Sequence, residues 1–256
     1  FNKNKVLEVG VDGRPIYGSA ANANNAFITK PGYPIASFYG YKYIGVFQSE
    51  EELAKYPHLS GDKVGDGRYE DVNKDGVLDQ NDKTILGDNN PLFTAGFSNS
   101  FSYKNFTLDI QFTGSYGAEV FSFYKRMCGI YHGDRNGMIE QLGRWQSKDQ
   151  PGDGIHFRPT RTPSGWQRDP SSAWVQDASY LRLRNLTLGY NFDQKDLDKM
   201  KMKGLRLYVT GQNLFTITNY VGYDPETSSE SGLAQGGDYL GYPAARSFII
   251  GANITF

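Results

Sequence analysis

Asp71, Asn73, Asp75, Asp79 and Asp82 fall at positions 1, 3, 5, 9 and 12 of one twelve-residue stretch, and Gly76 falls at position 6. Each of those five side chains ends in oxygen. Val77, at position 7, would add its backbone carbonyl, which leaves its side chain free to be apolar. Such spacing lets a short loop surround a hard cation, and calcium prefers six to eight oxygen ligands. Calcium is therefore the expected cofactor, with magnesium as the smaller alternative. Asp82 stands where a sensor loop carries a bidentate Glu, so fewer ligand oxygens or a looser fit is expected. Four carboxylates in twelve residues repel one another, and a cation should order them. An Asx-rich surface turn that binds nothing is the competing expectation. The flanks, Gly65-Asp66-Gly67 and Leu86-Gly87-Asp88-Asn89, read as turns rather than helices. A structural ion in a β protein is thus favoured over a switching EF-hand.

Little else in the chain carries chemistry. His58, His132 and His156 are far apart and lack metal-ligand spacing. No nucleophile elbow, phosphate loop or dinucleotide fingerprint is present, so no catalytic residues are expected and the chain does not read as an enzyme. Trp145 and Trp166, with Arg158 and Arg161 near them in sequence, are candidates for contact with a substrate, because aromatic faces stack on sugars and side chains. Packing between loops, or a place at a membrane interface, is the plainer expectation for them. Cys128 is the only cysteine, so no internal disulfide can form.

The elements that must position these residues are extended. The 256 residues carry a formal net charge of −1, which gives no support for nucleic-acid binding. Aromatics make up 14% of the chain and Gly is abundant, a mixture that favours strands and turns. No apolar run is long enough for a transmembrane helix. The chain opens on Phe-Asn-Lys-Asn-Lys without a leader, and it is expected to be a mature fragment of something longer. Phe93, Ala95, Phe97, Phe101 and Tyr103 alternate with small polar residues. After a tight turn at Lys104-Asn105, Phe106, Leu108, Ile110 and Phe112 do the same. A strand is expected over 179–192. Leu181 and Leu183 there have the opposite parity to Leu186, Leu188 and Tyr190, so a bulge is expected near Arg184-Asn185. A charged connector, 193–203, leads to a strand over 205–215, and the chain ends on a strand carrying Phe248, Ile250, Ile254 and Phe256. Stretches 114–178 and 219–245 show little periodicity. Connections therefore run short, long, short, long. A bacterial outer-membrane barrel has that asymmetry, and its strands have about this length. A secreted, calcium-stabilised β module that binds carbohydrate or mediates adhesion is the alternative.

Six pieces, in this order, resemble the C-terminal part of SusC/RagA-type TonB-dependent transporters of Bacteroidota. They are Gly32-Tyr33-Pro34-Ile35-Ala36-Ser37-Phe38-Tyr39-Gly40-Tyr41, the oxygen-rich loop with Leu86–Pro91, Ala178–Tyr190, Gly211-Gln212-Asn213-Leu214-Phe215, Asp224-Pro225-Glu226 and Tyr242–Ser247. The similarity extends over nearly the whole chain. It implies an all-β fold: the C-terminal antiparallel transmembrane strands, with long extracellular loops, of a barrel of about 22 strands. Residues 1–256 would form that barrel portion, the plug and earlier strands lying elsewhere, with the 71–82 loop inserted in an extracellular loop. The resemblance implies import of oligosaccharides or peptides across the outer membrane. Expected partners are a SusD-like surface lipoprotein acting as a lid, TonB-ExbB-ExbD through the missing N-terminal part, the remainder of the barrel, and membrane lipid. Trp145, Trp166, Arg158 and Arg161 would face cargo or lid, and Phe248, Ile250, Ile254 and Phe256 look like the terminal barrel-assembly signal.

Overall fold

The computed structural model describes residues 1–20, 23–129, 136–159, 170–227 and 231–256. Its largest sheet uses the two periodic stretches and three more strands. Six short strands come first: β1 (Ile16–Ala20), β2 (Ala23–Thr29), β3 (Ser37–Gly40), β4 (Tyr43–Val46), β5 (Gly67–Tyr69) and β6 (Thr84–Gly87). Then come β7 (Phe93–Tyr103), β8 (Phe106–Tyr116), β9 (Glu119–Ser122), β10 (Val175–Asp177), β11 (Tyr180–Asn191), β12 (Gly204–Thr218), β13 (Gly237–Asp238) and β14 (Ser247–Thr255). Strands β14-β12-β11-β8-β7, in that order, form a five-stranded antiparallel wall.

The wall is one layer thick, and its register explains its alternation. Phe97 lies opposite Phe112, Leu188 opposite both Leu108 and Val209, and Val209 opposite Ile250. All of these stand on one face, and Phe97, Leu188, Val209 and Ile250 are exposed there. The other face carries Ser, Thr, Asp, Gln and Arg. The register of β11 shifts between Leu183 and Asn185 against both neighbours. This is the expected bulge: it keeps Leu181 and Leu183 on the same apolar face as Leu186 and Leu188 despite their opposite parity. Phe248, Ile250 and Ile254 lie on that face along β14, and Phe256 is exposed just beyond it.

Both short connections leave one end of the wall. Lys104-Asn105 turns with Lys104 at φ +52°, and β11 reaches β12 through a short helix, Gln194–Met200. The described residues of 1–92, 117–179 and 219–246 gather at the other end. Two strands exceed expectation: β8 runs to Tyr116 and β12 to Thr218. Among the described residues no helix is long and apolar enough to cross a membrane, so any crossing falls to strands.

The long segments fold together into a second body. They contribute a four-stranded sheet, β1-β2-β3-β6, a three-stranded sheet, β10-β9-β13, and the pair β4-β5. Its core joins Phe27, Phe38, Val46, Phe121, Phe123 and Trp174 from well-separated parts of the chain. The Phe27 and Phe38 rings meet edge to face at 5.5 Å, and both lie against Phe121. Stretches 114–178 and 219–245 show little periodicity because their strands β9, β10 and β13 are only four, three and two residues long. Close backbone approach replaces period here: a Cβ on Gly18 would meet the Leu233 carbonyl oxygen at 1.9 Å, so only glycine lets residues around 233 lie on β1.

Candidate functional site

The oxygen-rich loop lies between β5 and β6, on the second body. Asp71 accepts from the Lys74 N–H at 2.7 Å and, through its other oxygen, from the Gly76 N–H at 2.9 Å. Asn73 Oδ1 accepts from the Asp75 N–H at 3.0 Å, and Asp75 Oδ1 from the Val77 N–H at 2.9 Å. Asp79 caps the short turn at 80–82 by accepting from the Asn81 N–H. Gly76 sits at φ +82°, where a side chain would be strained. Leu78 is buried with Tyr41 and Tyr69 and anchors the loop. Asp82 is fully buried, and its two oxygens accept from the Val72 N–H at 2.9 Å and the Asp79 N–H at 2.8 Å. It therefore closes the loop end to end. Among the described residues no three His, Cys, Asp or Glu side chains draw together as a metal cluster. The loop carboxylates are engaged first by the loop's own N–H groups. Each carboxylate oxygen has a second lone pair, so the donor set remains all-oxygen and suited to a hard cation.

Trp145 and Arg158 are placed as packing residues. A Cβ on Gly65 would meet the Trp145 ring at 2.6 Å, so the indole lies directly on that glycine. The backbone N–H of Trp145 donates to the His156 carbonyl at 3.1 Å. Arg158 forks onto buried Asp66, Nε to Oδ1 at 2.8 Å and Nη2 to Oδ2 at 3.2 Å. Together they pin residues 143–158 to the turn at 65–66. Trp166 and Arg161 lie outside the described residues. Beside Trp145, His156 meets Asp153 at 2.5 Å. Burial pushes the Asp153 pKa up, but N–H groups of His156 and Ile155 and the imidazole outweigh it and hold the carboxyl below its ordinary value.

A cluster drawn from two of the resemblance-bearing pieces, Ala178–Tyr190 and Asp224-Pro225-Glu226, fastens the second body to the wall. Arg182, on the polar face of β11, is 3% exposed. It donates to Asp224 at 2.6 Å, to Glu226, and to Thr216 at 2.8 Å. Arg184 reaches the same Glu226, and the Tyr180 hydroxyl donates to it at 2.6 Å. Burial raises the Asp224 pKa. The Arg182 hydrogen bond and the N–H groups of Ala244 and Glu226 more than offset that, so its carboxyl sits below the usual range. Further along, the Tyr220 hydroxyl donates to buried Asp238, which also accepts from Thr227 at 3.0 Å. Both halves of the cluster lie in pieces that carry the resemblance, but nothing in the sequence paired them. The rest of the polar face is knitted likewise: Ser100 donates to Asp109 at 2.6 Å and Arg206 to Thr107 at 3.1 Å.

No family model matches the chain. Its full length is 34% identical to TonB-dependent receptor P3 of Formosa agariphila, of which it spans 26%. It is 26% identical, again over its full length, to TonB-dependent receptor SusC of Bacteroides thetaiotaomicron, spanning 24% of that protein. Among solved structures it resembles the RagAB peptide transporter with a TM-score of 0.75 at 21% identity, covering 98% of this chain and 25% of that one. The chain thus spans about a quarter of the length of the relatives it matches, and the structural likeness is one of fold, with the five-stranded wall as part of an antiparallel β-barrel.

Proposed function

Because the chain belongs to the SusC/RagA type of TonB-dependent receptors, we infer that it supplies barrel wall and cell-surface loops to an active importer of the outer membrane. The observation that carries this is the segregation within the wall. One face is apolar except for Asn99 and is largely exposed, and the described parts of the long segments gather at one end. A secreted β module would cover such a face. In lipid, the free edges of β7 and β14 would leave backbone groups unpaired at high cost, so the remaining strands of the same barrel complete the wall. The cargo class is oligosaccharide or peptide: RagAB carries the name of a peptide importer. A SusD-like surface lipoprotein lids the loop body, and TonB-ExbB-ExbD supplies the energy through parts beyond this chain.

Calcium belongs to this reading as a structural ion of the loop body. Asp71, Asn73, Asp75, the Val77 carbonyl, Asp79 and Asp82 would hold it, and its charge would offset their mutual repulsion. The loop is already folded by its own turns, so the ion stiffens it rather than building it.

The test is recovery of the full-length receptor from outer membranes, with uptake of labelled oligosaccharide or peptide. A co-purifying lipoprotein, and uptake that stops when the proton gradient is collapsed, is the expected result. A soluble receptor that takes up neither cargo contradicts the reading.

A further inference from the structure

The apolar face of the wall has one trough, close to the long-loop end. Ala95 and Gly114 lie opposite each other across β7 and β8 and leave its floor without bulk. One pairing step toward the loops, the rings of Phe93 and Tyr116 bank it, their centroids 5.5 Å apart. One step the other way stands the Phe97–Phe112 pair, and Leu181 lies opposite Gly114 on the inner side. The cavity measures about 470 Å³, in the range of ~300–1,000 Å³ that holds small ligands. Gly114 shapes it: a Cβ there would meet the Tyr180 carbonyl oxygen at 3.0 Å and Leu181 Cδ1 at 3.5 Å. Only the end nearest the loops is polar, where Asp177, Ser179 and Asn219 line the cavity. Asp177 Oδ1 accepts from both the N–H and the hydroxyl of Ser179.

We propose that this trough seats an acyl chain of a membrane lipid, with the polar part of that lipid against Asp177, Ser179 and Asn219. The proposal rests on the reading of the wall as membrane-embedded. Its occupant follows from continuity: the trough opens on the apolar face that lipid covers, and its banks are apolar and aromatic. A peptide segment would need partners for its own backbone groups. Beneath the trough β8 is paired on both sides, to β7 and β11, so β8 offers no backbone partner. A sugar would find no polar group except at one end.

The experiment uses the full-length receptor, extracted from outer membranes into detergent and exchanged extensively. Bound lipid is counted by native mass spectrometry and by extraction. Ala95→Phe fills the trough from an exposed position. Ala252→Phe adds the same bulk to the exposed face on β14, away from it. Wild type and Ala252→Phe should retain a lipid that Ala95→Phe loses by about tenfold or more. Equal retention in Ala95→Phe, or a membrane-embedded wild-type barrel that keeps no lipid, overturns the proposal alone. Recovery of the wild type in the soluble fraction overturns the membrane reading and the proposal with it.

Discussion

The wall and the loop body handle apolar side chains in opposite ways. In the wall, Phe97, Phe101, Leu188 and Ile250 are exposed along one face, and the opposite face is polar. In the loop body, Phe27, Phe38, Phe121 and Phe123 are fully buried. One chain therefore contains a sheet with no core of its own and a core with no long strand. The difference follows from solvent. A wall between lipid and a wet interior needs only alternation. Loops above the membrane meet water on every side and must bury their apolar residues against one another.

The largest expected effect breaks the joint between the two regions. Arg182→Ala leaves buried Asp224 without its cation, while Glu226 keeps Arg184, and breaking a buried pair from one side costs about 3–5 kcal/mol. Hydrogen exchange over 219–246 should rise while the wall strands stay protected. Phe38→Ala should cost the loop body about 3–5 kcal/mol through its cavity. Faster exchange confined to β1, β2, β3 and β9 would show that the loop core is separate, whereas equal loosening of β8 and β11 would show one cooperative unit. Neighbouring wall positions sharpen the contrast of faces. Phe97→Arg should impair assembly by about 2–4 kcal/mol if the site lies deep in lipid, and Ser98→Arg, on the other face, should assemble normally. Equal yields of the two variants in the outer membrane would contradict the assignment of faces.

The pH effect is smaller. Asp224 is held below its ordinary value by Arg182 and two N–H groups, against the upward push of burial. Its contribution is therefore fully present above the unfolded value of about 3.9 and is lost as pH falls through the folded value. Protease cutting within 219–246 should increase as pH drops below about 4, and Asp224→Asn should weaken that dependence. The smallest effect concerns calcium. Added calcium should slow exchange over 71–82 in the wild type and not in Asp75→Ala. That variant should also bind the lipoprotein lid more weakly, by a factor of a few, with the barrel intact. Unchanged lid binding would remove the loop from docking.

The two regions also differed in how far sequence could be read. The wall was legible because lipid imposes period two. Even the bulge at Leu183–Asn185 showed as a change of parity among leucines. The loop body was not, since its strands are short and its joints link distant residues. The Tyr43 N–H donates to the Ser172 hydroxyl, 129 positions away. Arg158 looked available for a ligand because Asp66, its partner, lies 92 positions earlier. The pairing of Arg182 with Asp224 and Glu226 was hidden for the same reason, although both pieces carry the resemblance: the acids come after an intervening strand. In the oxygen-rich loop, spacing gave the turn and its glycine correctly. It did not foresee that Asp82 would be buried and would close the loop through backbone N–H groups.

The most direct test of the account is protease treatment of intact cells carrying the full-length receptor, with the surviving fragments mapped by mass spectrometry. The account predicts cleavage within 117–179 and 219–246, and survival of β7–β8, β11–β12 and β14 in the outer membrane. Cleavage in the turn at 104–105 on intact cells, or recovery of the receptor in the soluble fraction, would contradict it.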